Sequence, residues 1–111
     1  MGKRIHSWSK ATDGESKMRI YISGGISGVE NYKENFNKLQ KELERQGHEV
    51  FNPALYGETL PNLTYEEYMQ IGLGFIDMCD AVYMLKDWRK SCGANREYGY
   101  ALASDKMILE E

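Results

Sequence analysis

MRIYISGGISG, residues 18–28, is a short run of β-branched and aromatic residues that breaks into a glycine-rich turn. The run predicts a strand, and the glycines supply a turn that tolerates unusual φ. Asn31 followed by Glu34 reads as a capping box. Tyr32, Phe36, Leu39 and Leu43 then recur at helical spacing before Gly47, predicting a helix over about 31–46. HEVFN (48–52) is a brief strand stopped by Pro53, and PALYGETLPNL (53–63) is a connection longer than α/β loops need, the kind that forms lids. Thr64 with Glu67 makes a second capping box. It opens a helix to about Cys79 whose apolar face holds Tyr65, Met69, Leu73 and Ile76. Gly72 and Gly74 weaken that helix by roughly 1 kcal/mol each. AVYML (81–85) predicts a strand, Ser91 or Cys92 opens a helix to about 104, and KMIL (106–109) a last strand.

Strands alternating with helices long enough to cross over demand parallel pairing and right-handed connections, with helices on both faces of the sheet. The expected architecture is a flavodoxin-like three-layer α/β/α fold, its four parallel strands in the order 2-1-3-4 counted from residue 18. Residues 48–52 and 106–109 are then the sheet edges. Residues 1–17, polar and aperiodic, read as a flexible leader, a tag remnant or an upstream start, with Trp8 their one candidate anchor. The domain is residues 18–111.

Composition removes several classes of function. Fourteen Lys and Arg against seventeen Asp and Glu give a net charge of −3, so no basic field draws in duplex nucleic acid. No apolar run is long enough for a membrane span or a secretory signal, which predicts a cytoplasmic protein. Cys79 and Cys92 form no disulfide framework, and with His6 and His48 distant there is no zinc ligand set; no cofactor is implied.

In such sheets ligands sit beyond the carboxyl ends of the strands, where the strand order reverses. Three segments converge there: the turn after residue 23, the loop after residue 85 with the helix it feeds, and the long connection 53–63. Gly24, Gly25, Ile26, Ser27 and Gly28 present amides and a hydroxyl that suit a phosphate, although a tight turn alone explains the glycines. The turn lacks the Gly-Lys-Ser/Thr of a P-loop and is one glycine short of a dinucleotide fingerprint. Ser91 caps the following helix or binds the same anion, and Gly93 lets a ligand approach the backbone. Glu97 falls on the flank of the sheet-facing stripe Ala94, Tyr98, Ala101 and Leu102, about a turn and a half into its helix. A partly desolvated carboxylate there suits a nucleophile, while most helical glutamates are simply solvated. Tyr21 lies two residues before the turn, within reach of such a carboxylate or in the core. Tyr65, Tyr68 and Tyr83 read as core or interface aromatics.

Taken together, RIYISGGISG, FNPA, YEEYM, DMCDAVYMLKDW and SCGANREYGYALA resemble the nucleoside 2-deoxyribosyltransferase-like family, in its short bacterial and phage branch (DUF4406-like), over about residues 18–110. The resemblance implies a flavodoxin-like protein that cleaves or exchanges the N-glycosidic bond of deoxynucleosides or their 5′-monophosphates, commonly as a homo-oligomer. Glu97 matches the family's catalytic glutamate, which attacks C1′ of deoxyribose, and Tyr21 the tyrosine that orients it. Ser91 matches the serine with which the nucleotide glycosidases contact phosphate, which favours a 5′-monophosphate.

One departure stands out. Eight residues before Asp80 the active relatives have an aspartate that helps protonate the departing base, and this chain has Gly72. Asp77 lies about 7 Å further along the helix at 1.5 Å per residue, leaving Glu66 and Glu67 as the eligible substitutes. The expected activity is hydrolysis of a 2′-deoxynucleoside 5′-monophosphate, favoured over deoxyribosyl transfer because so small a chain leaves little to exclude water. The alternatives are a catalytically silent nucleotide sensor or partner-binding module, motivated by Gly72, and a ligand-free structural dimer. A homodimer is expected to bury tyrosines and sheet-edge surface.

Overall fold

The computed structural model describes residues 17–111 and the backbone of a strand at Lys3–Ile5. In chain order the strands are β1 (Lys3–Ile5), β2 (Arg19–Ser23), β3 (Glu49–Phe51), β4 (Ala81–Met84) and β5 (Met107–Glu110). The helices are α1 (Tyr32–Arg45), a single turn α2 (Tyr56–Thr59), α3 (Tyr65–Asp77) and α4 (Cys92–Ala103). All pairings are parallel, and the order across the sheet is β1-β5-β4-β2-β3. Counted from residue 18, β2 to β5 therefore stand in the order 2-1-3-4 of a flavodoxin-like sheet. The edge expected at 106–109 is covered instead: Lys3–Ile5 pairs with Met107–Leu109. The rest of the leader before Lys17, including Trp8, lies outside the described residues.

Period-two alternation along β2 assigns its residues to two cores. Ile20 and Ile22 are fully buried with Phe36, Leu39 and Leu43 of α1 on one face. Tyr21 turns the other way, into a cluster with Ile76 of α3, Val82 of β4 and Ala94 and Ala101 of α4. One face thus carries α1 and the other α3 and α4, as expected where crossovers run to both sides of β2.

Local signals hold in most elements. At α3 the Thr64 hydroxyl accepts from Glu67 N–H at 3.1 Å and the Glu67 carboxylate accepts from Thr64 N–H at 2.8 Å, the reciprocal capping box read from the sequence. At α1 the box does not form. Asn31 makes no side-chain cap, with φ −112° and ψ 41°, and it lines a cleft described below. The connection 53–63 is more ordered than expected, containing a 3-10 turn at Pro53–Leu55 and α2. Asn52 organises its start: its Oδ1 accepts from Ala54 N–H, and its amide donates to Asn37 and Gln40 on α1, each at 2.9 Å. Among the described residues no helix is long and apolar enough to cross a membrane.

His48, buried before β3, accepts at Nδ1 a hydrogen bond of 3.0 Å from Met18 N–H, and burial holds its pKa below the ordinary 6.5. The folded chain therefore resists a proton that the unfolded chain takes up, so the contribution of His48 to stability is full above pH 6.5 and falls as the pH drops below it. We expect the urea midpoint of the parent to fall relative to that of the His48→Asn variant between pH 7 and pH 5.

Candidate functional site

Between the carboxyl ends of β2 and β4 opens a cleft of about 1020 Å³. Its walls are the turn 24–28, the start of α1, the 53–57 segment, the N-terminal half of α3 and the loop that leads from β4 into α4. The three segments expected to converge do converge here. Gly24, Gly25, Ile26, Ser27, Gly28, Ser91, Gly93, Tyr21 and Glu97 all line this one cavity.

Its floor is an unusual polar cluster. Glu97 is only 8% exposed, and its two carboxylate oxygens accept separate hydrogen bonds, Oε2 from the Tyr21 hydroxyl at 2.8 Å and Oε1 from the Ser23 hydroxyl at 2.6 Å. Tyr21 and Ser23 are i and i+2 on β2, so both side chains leave the same face of the strand. Glu97 comes from the opposite element, on the buried face of α4 between Ala94 and Ala101 and not on its flank. With side chains as small as alanine at those two positions, α4 lies close enough to the sheet for a glutamate to reach β2. Burial pushes the Glu97 pKa above its ordinary 4.5, opposed by the two hydroxyl donors. Burial, and then the neighbouring Glu97 charge, push the Tyr21 phenol well above 10.0. The pair is thus a desolvated carboxylate with a hydroxyl donor that keeps its proton.

Ser23 was not singled out in the sequence, although period-two spacing from Tyr21 in a strand points to it. Gly72 acquires a physical reason. A Cβ built on it meets the Tyr21 hydroxyl at 2.6 Å and Glu97 Oε2 at 2.8 Å, so the backbone of α3 presses directly on the pair. That contact explains a glycine which costs helix stability.

At the mouth, Gly24 is required by closeness, since a Cβ there meets Leu85 at 2.9 Å, and of the turn glycines only Gly28 adopts positive φ, 77°. Ser91 caps α4 by accepting from Ala94 N–H at 3.1 Å, which leaves its hydroxyl proton to point elsewhere. A Cβ on Gly25 would lie 3.7 Å from Ser91 Cβ, so the glycine turn and the α4 start face each other across a short gap. Lys86 and Lys90 stand in the same lining, together with Glu30 and Asp87. Backbone amides at a helix start, a hydroxyl and the two lysines are the groups there that suit an anion.

The substitutes Glu66 and Glu67 do not join the cleft lining. Glu66 is paired on the surface with Arg96 at 3.0 and 3.2 Å, and Glu67 belongs to the α3 capping box. Asp77 accepts from the Tyr100 hydroxyl at 2.7 Å near the far end of α3. Tyr65 and Tyr68, expected in a core or interface, line the cleft, Tyr65 half-exposed. Among the described residues no group of three or more His, Cys, Asp or Glu is placed to hold a metal.

The family model for the Domain of unknown function (DUF4406) matches residues 18–110, and the chain belongs to that family. No curated protein matches the chain.

Two variants test the floor. Above the folded pKa of Glu97 the native state bears a buried charge that the unfolded state solvates freely, so Glu97 costs stability as the pH rises from 4.5. Glu97→Gln is expected to melt above the parent at pH 7–8, the two converging toward pH 4. Gly72→Ala should lower unfolding free energy by about 1–3 kcal/mol through overpacking, read from urea curves at pH 7.

Proposed function

We propose that this chain cleaves the N-glycosidic bond of a 2′-deoxynucleoside 5′-monophosphate by hydrolysis, with Glu97 as nucleophile. The observation that carries the reading is a buried carboxylate held by two neutral donors on the floor of a cleft whose mouth is built for an anion. The sequence resemblance to nucleoside 2-deoxyribosyltransferases and nucleotide N-glycosidases supports the same assignment.

Phosphate is seated between the 24–28 turn and the start of α4, where amides, the Ser91 hydroxyl and Lys90 balance its charge. The sugar then lies over the cleft floor with C1′ facing Glu97. Tyr21 and Ser23 fix the carboxylate plane with one bond to each oxygen, and the remaining lone pairs are left for attack. Glu97 forms an ester with C1′ as the C1′–N bond breaks and its electron pair leaves with the base. Water then attacks C1′, the C1′–O bond to Glu97 breaks, and the carboxylate returns. This is the double displacement of retaining glycosidases, in which a carboxylate traps the oxocarbenium-like sugar.

Self-association belongs to the proposal, since Leu55 and Leu60 are 44% exposed and Tyr65 is 50% exposed. Light scattering that finds only monomer removes that part.

Incubating the protein with each deoxynucleoside 5′-monophosphate and separating the products by chromatography is expected to reveal free base and deoxyribose 5-phosphate. Glu97→Gln should abolish release while a nucleotide still raises the melting temperature. Tyr21→Phe should lower kcat by about 10–100-fold through loss of one orienting bond to the nucleophile. Ser91→Ala should raise KM for nucleotides and leave turnover of the corresponding nucleosides unchanged. Thermal stabilisation by nucleotides with no base released from any of them indicates the silent sensor and overturns the enzymatic reading.

A further inference from the structure

Among the described residues, the Glu97 floor is well furnished for attack on the sugar and poorly furnished for the departing base. With phosphate at the glycine turn and C1′ over Glu97, the cleft beyond the sugar is walled by α3 and the α2 turn. What these elements offer is Tyr65, Tyr68, Met69 and Tyr56, with Gly72 pressed against the floor. The proton-bearing groups among them are phenols. Tyr68 already donates to the Leu60 carbonyl, and the Tyr56 ring is stacked on Phe75 at 5.3 Å. Burial raises the Tyr56 phenol further above its ordinary 10.0.

The α3 carboxylates point elsewhere, Glu66 to Arg96 and Glu67 to the helix cap. The other acids of the lining, Glu30 and Asp87, belong to the glycine-turn and β4–α4 segments, on the side that holds phosphate. Nor does Gly72 leave room for a carboxylate beside Tyr21 and Glu97, because even a Cβ there falls within 2.8 Å of both. A general acid is effective when its pKa lies near the working pH, and a phenol at pH 7 is far from that condition.

We propose that this site is selective for nucleotides whose base departs without help, as a stabilised anion or as a neutral base released from a cationic one, so that leaving-group acidity sets the substrate class. The inference rests on the proposed hydrolysis. In its first step Glu97 bonds to C1′ while the C1′–N pair passes to the base nitrogen; a base that leaves as an anion is later protonated there by bulk water, not by a side chain, and a cationic base becomes neutral and needs no proton. Water then cleaves the sugar ester, leaving its hydroxyl on C1′ and its proton with solvent. Atoms and charges balance with water as the sole co-reactant.

The test uses the unmodified protein and a series that varies only the departing base: 5-fluoro-dUMP, dUMP, dTMP and dCMP, in falling order of N1–H acidity. A protonating side chain typically contributes about 10²–10⁴-fold. Its absence should reappear as a spread of that order in kcat/KM across the series. The purine pair 7-methyl-dGMP and dGMP should differ in the same sense after correction for spontaneous depurination. The basic limb of the kcat/KM profile for dCMP, whose ring carries no N3–H to ionise, should also lack the fall that marks a general acid. Values of kcat/KM within about tenfold across the four pyrimidines, or a clear loss of the dCMP rate above pH 8, overturn the inference and leave hydrolysis standing. Release of no base from any member, 5-fluoro-dUMP included, instead removes the hydrolysis reading on which the inference rests.

Discussion

Two hydroxyl groups on one strand hold one buried carboxylate from a helix, and the rest of the site is arranged around that contact. The bonds from Tyr21 and Ser23 to Glu97 join β2 to α4 across 76 and 74 residues of chain. Each partner is buried at the sheet's carboxyl edge, where an unpaired carboxylate would carry a heavy desolvation cost. Both oxygens being satisfied is what lets the carboxyl group of Glu97 stand there. The surrounding choices follow from geometry. Alanines at 94 and 101 bring α4 close, and Gly72 brings α3 against the pair from the side. Leu85 packs on Gly24, where β2 and β4 hand the chain over to the loops above.

The fold was legible in the sequence because its signals are local. MRIYIS carries the strand, Thr64 and Glu67 carry a cap whose two bonds both form, and alternation demands a parallel sheet, for which the flavodoxin-like order with its reversal at β2 is one of the available arrangements. What was not legible depends on contacts distant in sequence. The strand at Lys3–Ile5 pairs with residues more than a hundred positions away, and nothing in so short a stretch as Lys-Arg-Ile announces it. Asn31 has the residue type of a cap but a backbone that turns it toward the cleft. The 53–63 connection looked irregular because one-turn helices leave no periodicity to read.

Of the site, the polar loops were visible and the floor only partly so. Helical spacing placed Glu97 on a flank because a charged residue between alanines gives no hydrophobic pattern, and only β2 across the gap supplies the reason for burying it. Ser23 was obscured by its position at the junction of strand and turn, although its parity with Tyr21 identifies its face. Gly72 looked like a defect in α3, or a missing acid. In three dimensions it is a point of close approach, and the helix bears an unfavourable residue so that its backbone can touch the Tyr21–Glu97 pair.

The choice of neutral donors has a chemical consequence. Arg96, the residue just before Glu97, acts on the carboxylate less than burial and the two hydroxyl donors do, its guanidinium being turned outward onto Glu66. Had that cation been turned inward, it would have stabilised the ionised form most and drawn the pKa down, leaving a well-paired but poorly nucleophilic group. Tyr21 and Ser23 orient the oxygens without neutralising them, and burial keeps the pKa up. Glu97 is therefore buried like a structural residue while its pKa is held above the ordinary 4.5, the electronic condition that the proposed nucleophile requires. The same arrangement makes it costly in the folded protein, a cost that the proposed role accounts for.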